Sequence, residues 1–200
     1  ISSCELAFTN VDVNENGAGI SGSGTTAFTN VNINDNGGYG LTSSGTKSFS
    51  IVNIKSNGSF GVSGSGAVTL DSVVVRDNTG TGFTGFTDSF NADNVTISGN
   101  NNGGISGSGI VTLETTYIDS NNTGNNGGGA NVNGSITMNN TRFSGNSGHS
   151  GGGIYIQGTL NADSTSISFN SSNATGGGIY ANGTVTLTDV TLDSNSSSIG

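Results

Sequence analysis

An asparagine recurs at one place in a repeating pattern nine times, as Asn16, Asn36, Asn57, Asn78, Asn100, Asn121, Asn146, Asn170 and Asn195. Successive copies stand 20, 21, 21, 22, 21, 25, 24 and 25 residues apart. Self-similarity at a period of about 20–29 residues marks a solenoid, whose repeats bury their apolar sides only by stacking on one another.

Aligning the chain on this asparagine brings other columns into line. Three residues earlier stand Val13, Ile33, Ile54, Val75, Ile97, Ile118, Phe143, Ile167 and Leu192, all apolar. Five earlier stand the β-branched Val11, Val31, Val52, Val73, Val95, Thr116, Thr141, Thr165 and Val190, and eight earlier a column that opens with Phe8, Phe28 and Phe49. A gap of two keeps side chains on one face of a strand. The gap of three therefore demands a corner if all three columns face inward. A fourth apolar column, from Ile20 and Leu41 to Ile154 and Ile179, follows the asparagine, each member preceded by Gly. The pattern predicts an all-β parallel β-helix over 1–200 as one domain, of about nine rungs of 20–25 residues with three strands per rung. At a corner the asparagine would tolerate left-handed geometry, and its amide would bond the amide of the next rung, about 4.8 Å away.

Gly22, Ser43, Gly64, Gly85 and Gly107 form a small-residue column that becomes Val132, Ile156 and Ala181. It stays small where the Phe column is large, which predicts volume compensation across a narrow core. Outward, Ser21, Thr42, Ser63, Thr84 and Ser106 line up beside Ser23, Ser44, Ser65, Phe86 and Ser108, a strip of small hydroxyls broken by Phe86. The corners after the asparagine lengthen at 121–129, 146–153 and 170–178; their Gly, Asn, Ser and Thr content reads as flexible, solvated loop.

Composition narrows function by exclusion. Gly (36), Asn (29), Ser (31) and Thr (25) dominate, but Pro is absent and the apolar residues are periodic, unlike a disordered linker. The formal net charge is −9, with Lys47, Lys55, Arg76 and Arg142 as the only basic side chains. Such a surface repels a phosphate backbone, so nucleic acid is not an expected partner. The longest strictly aliphatic run, Val73-Val74-Val75, is far too short to span a bilayer. Cys4 has no partner for a disulfide; it reads as an interfacial thiol or, from Ile1-Ser2-Ser3-Cys4, as a lipid acceptor. Nine Asn-x-Ser/Thr sequons follow from the composition alone.

Asp71, Asp93 and Glu114 stand seven before the asparagine in three successive rungs, followed by Asn139 and Asp163. Stacked carboxylates would repel, recruit calcium, or suit a retaining glycosidase pair; a solvated turn favours the same residues. Arg76 and Arg142 lie in distant rungs, and His149 sits in a Ser-Gly-His-Ser-Gly loop without a nearby Cys or carboxylate. No constellation here predicts catalysis, a metal or a cofactor.

Phe143-Ser144-Gly145-Asn146 is followed by Gly151-Gly152-Gly153-Ile154-Tyr155, and Ile167-Ser168-Phe169-Asn170 by Gly176-Gly177-Gly178-Ile179-Tyr180. Over about 135–183 this resembles the FxxN and GGA[ILV] repeats of polymorphic outer-membrane proteins, which are autotransporter-type surface proteins and adhesins. The whole chain is similar to the right-handed β-helices of the pectin-lyase-like superfamily. The resemblance implies an extracellular or cell-surface structural solenoid: a passenger, adhesin stalk or filament subunit. Its partners would be copies of itself, end to end or side by side, or surface glycans. The alternatives are a polysaccharide-binding or polysaccharide-cleaving β-helix and, more remotely, an ice-binding solenoid. The sequence shows no capping helix at either end, so stacking against further rungs is expected there.

Overall fold

The computed structural model describes residues 5–199 and shows an all-β parallel solenoid of about nine turns. Cys4 lies outside the described residues. None of the described residues is helical, so no helix is long and apolar enough to cross a membrane. Long strands repeat from turn to turn: Glu5–Asn14, Thr25–Asn34, Lys47–Lys55 and Val68–Arg76, then Ile105–Glu114, Ala130–Asn139, Ile154–Asp163 and Ile179–Thr188. Each pairs in parallel with the strand one repeat away, so that Phe8 meets Phe28, Phe28 meets Phe49 and Phe49 meets Leu70. The register therefore steps along the rod at the spacing of the asparagines.

Two columns of left-handed residues turn the chain. Asn10, Asn30, Ile51, Ser72, Asn94, Thr115, Asn140, Ser164 and Asp189 hold φ between 45° and 56°, and fall between the Phe column and the β-branched column, where the gap of three requires a corner. Left-handed geometry costs an L residue about 1–2 kcal/mol unless a short polar side chain bonds locally, which is why Asn, Asp and Ser prevail there. The second column is Glu15, Asp35, Ser56, Asp77, Gly99, Ser120, Gly145, Phe169 and Ser194. It stands one residue before the repeating asparagine. The asparagine itself does not adopt left-handed geometry; its predecessor makes the turn and leaves the amide free to bond along the rod.

Inside, Phe8, Phe28 and Phe49 stack with ring centroids 5.0 Å apart. Leu70 ends the stack, and Phe83, Phe86 and Phe90 continue the aromatic core at other angles. From Ile105 onward the core is filled mainly by Val, Ile and Leu buried to zero exposure. Burying each such side chain contributes about 1.5–3 kcal/mol.

Phe86 is buried, not part of the outer strip. Nine residues separate Phe83 from Ala92 where eight separate Leu41 from Phe49, and the extra residue makes a bulge that pairs Ser106 with Thr84 but Gly107 with Phe86. A Cβ at Gly107 would come 2.7 Å from the Phe86 ring. The small column thus trades volume with the next turn along the rod there. At Gly22 the limiting neighbour is Leu6, 3.0 Å from a would-be Cβ; the contacts run to these residues rather than to the Phe column.

Lys47 occupies an inward position between Thr26 and Val68. It has no exposed surface, and its ammonium donates to Gly45 O at 2.9 Å and Ser65 O at 2.6 Å. Burial pushes its pKa down from 10.5.

Candidate functional site

The asparagine column is a continuous hydrogen-bonded ladder. In Asn57, Nδ2 donates to Asn78 Oδ1 at 2.9 Å and to Ile33 O at 3.0 Å, while Oδ1 accepts from Asn36 Nδ2 at 2.9 Å and from Asn36 N at 3.2 Å. The same pattern carries on through Asn78, Asn100, Asn121, Asn146 and Asn170 to Asn195. Each interior amide uses both donors and accepts twice, as a buried polar group must. Asn16 differs: it is exposed, its Nδ2 turns to Asn14 O, and it joins the column through its backbone N to Asn36 Oδ1. These residues are structural, and they hold the surfaces beside them at a constant rung spacing.

The acidic column stacks in register, Asp71 beside Asp93, Asp93 beside Glu114, Glu114 beside Asn139 and Asn139 beside Asp163. Asp71 and Asp163 serve the local turn, and Glu114 bonds to the adjacent turn. Asp71 Oδ1 accepts from Ser72 Oγ at 2.9 Å, Asp163 Oδ1 from Ser164 Oγ at 3.0 Å, and Glu114 Oε1 from Asn139 Nδ2 at 2.8 Å. Ser72 and Ser164 are themselves left-handed corner residues. Among the described residues no three His, Cys, Asp or Glu side chains gather into a group able to hold a metal ion.

The lengthened corners are stacked rather than loose. Ser147–Gly148, Ser171–Ser172 and Ser196–Ser197 form a second parallel sheet. Around them His149 N donates to Asn125 O at 2.7 Å, Ala174 N to His149 O at 2.8 Å and Gly151 N to Thr175 O at 3.0 Å. Three to four added residues are enough for the third side of the rod to pair as strand; the shorter early turns cross it in bends. Glycine allows the close approach, since a Cβ on Gly152 would run into Ser171 O.

Where the lengthened corners begin, they wall a groove of about 540 Å³. Thr84, Ser106 and Asn131 form its floor, Thr81, Asn102, Thr123, Asn125 and Asn126 its sides, and His149 is its only ionisable side chain. The floor continues the outward hydroxyl column: Ser21, Thr42, Ser63, Thr84 and Ser106 stand in register, then Asn131, Tyr155 and Tyr180. The two tyrosine rings stack at 5.0 Å and 3°, and Gln157 Nε2 donates to Tyr155 OH at 3.0 Å. Sequence reading found the start of this column and the lengthened corners. It missed the groove, which needs strand and corner in one view, and the tyrosine pair, whose register with Ser106 is interrupted by four extra residues.

Arg142 is tied to Asp119 and lies 4.9 Å over the Tyr117 ring. The Asp119 carboxylate holds its pKa above the ordinary arginine value. No family model, curated protein or solved structure matches the chain.

Proposed function

We propose that the chain is an extracellular structural β-solenoid, a rod that serves as a surface passenger, adhesin stalk or self-assembling filament subunit. The observation that carries this reading is the polarity of the ladder. From Asn36 to Asn170 every amide donates to the amide of the next rung, so one contact repeats unchanged along the rod. A ladder of one polarity extends by repeating the same contacts rung after rung, with further rungs supplied by the same polypeptide or by a second copy. The resemblance of the repeats to autotransporter-type surface proteins favours the same role.

Electron microscopy over a concentration series tests it. Growth in rod length at constant width supports end-to-end stacking; particles of one length at every concentration oppose the filament form and leave the passenger or stalk.

A second reading, a glycan-binding β-helix, is favoured by the groove, lined without Asp, Glu, Lys or Arg, and by the tyrosine pair beside it. Hydroxyls and amides suit neutral sugar hydroxyls, and an aromatic face suits a sugar ring. Loss of glycan retention in Tyr155→Ala, with stability kept, supports this reading. Neither reading gives Asp93 a catalytic role, so Asp93→Asn is expected to leave any glycan profile unchanged.

A further inference from the structure

We infer that the outward face of the strands between the two corners carries a binding site for a small oxyanion, a carboxylate or sulfate group, centred on Lys55 and Arg76. These are two of only four basic side chains in the sequence, and they stand directly beside one another on neighbouring turns. With Asn32, Asn34, Asn53 and Val74 they line a pocket of about 230 Å³, on a different side of the rod from the groove described above.

The state of the donors points to a ligand. Lys55 has no carboxylate within ion-pair distance and no hydrogen-bond acceptor among the described residues. Arg76 spends one NH on Asp77 at 2.8 Å and keeps the rest of its fork free. Asn34 is 8% exposed, and its Oδ1 is sealed without a partner. Its Nδ2 is not among the sealed atoms and donates to nothing among the described residues, so the amide presents its free NH2 on the open side, where the pocket lies. The Asn34 donor on the open side completes a set of three with the free Lys55 ammonium and the Arg76 fork, which an anion bridging Lys55, Arg76 and Asn34 would occupy. A fork, a point charge and an amide donor are the groups that recognise an oxyanion.

Net charge sets the size of the ligand. The chain carries −9 overall, so a polyelectrolyte meets repulsion beyond the pocket, whereas a single anionic group sits against Lys55 and Arg76, with Asp77 already paired to Arg76 and Asp12 to Asn32. The site therefore selects a small anion, or one isolated charge on an otherwise neutral molecule. The volume exceeds that of a bare sulfate and leaves room for the group that bears it.

The test is a titration of 15N-labelled protein with sodium sulfate, sodium acetate, glucose 6-sulfate and a heparin oligosaccharide, with sodium chloride at matched ionic strength as control. Sulfate and acetate are expected to move the Asn34 side-chain amide and the Lys55 signals saturably and to leave Arg142 still. Lys55→Gln, a partly exposed position that the fold tolerates, is expected to weaken sulfate binding by at least about tenfold, and Arg142→Gln to leave it unchanged. Tighter binding of glucose 6-sulfate than of sulfate assigns the site to an anion on a sugar, and equal binding to the free ion; both uphold it. Equal shifts with chloride, parallel movement of Arg142, or unchanged binding in Lys55→Gln overturns the site. Heparin binding far tighter per site than sulfate overturns the small-anion assignment.

Discussion

The first three turns and the last three solve the same stacking problem differently. Near the start, repeats of 20–21 residues close with short bends, and three phenylalanine rings fill the interior face to face. Near the end, repeats of 24–25 residues carry a second sheet, the interior holds Val132, Ile156, Leu160 and Ile167, and the aromatic stack has moved outside as Tyr155 and Tyr180. Both keep the same ladder. The contrast shows that the corner after the asparagine is free to grow because the asparagine amide, not the corner, holds adjacent turns in register. Concave surface accumulates where it grows: the groove lies at the first lengthened corner.

Four predictions sharpen or break this contrast. Phe28→Ala removes the middle ring of the inner stack and should cost about 3–5 kcal/mol in urea unfolding. A much smaller loss would mean that the first turns collapse around the gap and that their core is not a fixed stack. Asn121→Ala cuts the ladder where the two regions meet. It removes the acceptor of Asn100 N and Asn100 Nδ2 and the donor to Ile97 O, and leaves Asn146 Oδ1 with only the Asn121 backbone N, so a loss of about 2–4 kcal/mol is expected. Asn16→Ala, at the exposed end of the same column, should stay within about 0.5 kcal/mol. Equal effects at the two sites would contradict the ladder as the common frame.

Gly152→Ala drives a methyl into Ser171 O in the second sheet and is expected to cost about 1–3 kcal/mol. Gly17→Ala, where nothing lies within 4 Å of the new methyl, should be close to neutral. Thermal melts of the pair tell whether the lengthened corners are packed as tightly as described.

The smallest effect concerns Lys47. Its folded pKa is depressed by burial below the ordinary 10.5, so between the two values the unfolded chain holds the extra proton and stability rises with pH. Below that window both states are protonated and the desolvation cost is fully present. Lys47→Met should abolish this rise, visible as a flatter plot of unfolding free energy against pH approaching 10.5. An identical slope in the variant would mean that the ammonium is not desolvated.

The repeat, the inward columns and the first corner were legible in the sequence because each depends on local periodicity that nine copies average. The ladder was legible for the same reason, although its asparagines were assigned the left-handed turn that belongs to the residue before them. Phe86 was misplaced because one inserted residue reverses every later side chain in a strand, and the nine-residue step from Phe83 to Ala92 was the available signal. Lys47 is not legible from the asparagine-anchored columns, because it belongs to a further column, Leu6, Thr26, Lys47, Val68 and Phe90, whose apolar members mark it as inward. The groove, the tyrosine pair and the Lys55–Arg76 pocket join residues from several turns and two sides of the rod, so no single repeat displays them.

The central claim is that buried asparagine amides bond from turn to turn along the whole rod. Hydrogen exchange of the side-chain NH2 groups, followed residue by residue by NMR, tests it directly. Slow exchange is expected at Asn57, Asn78, Asn100, Asn121, Asn146 and Asn170, with fast exchange at the exposed Asn10 and Asn16. Exchange at the ladder positions as fast as at Asn10 would contradict it.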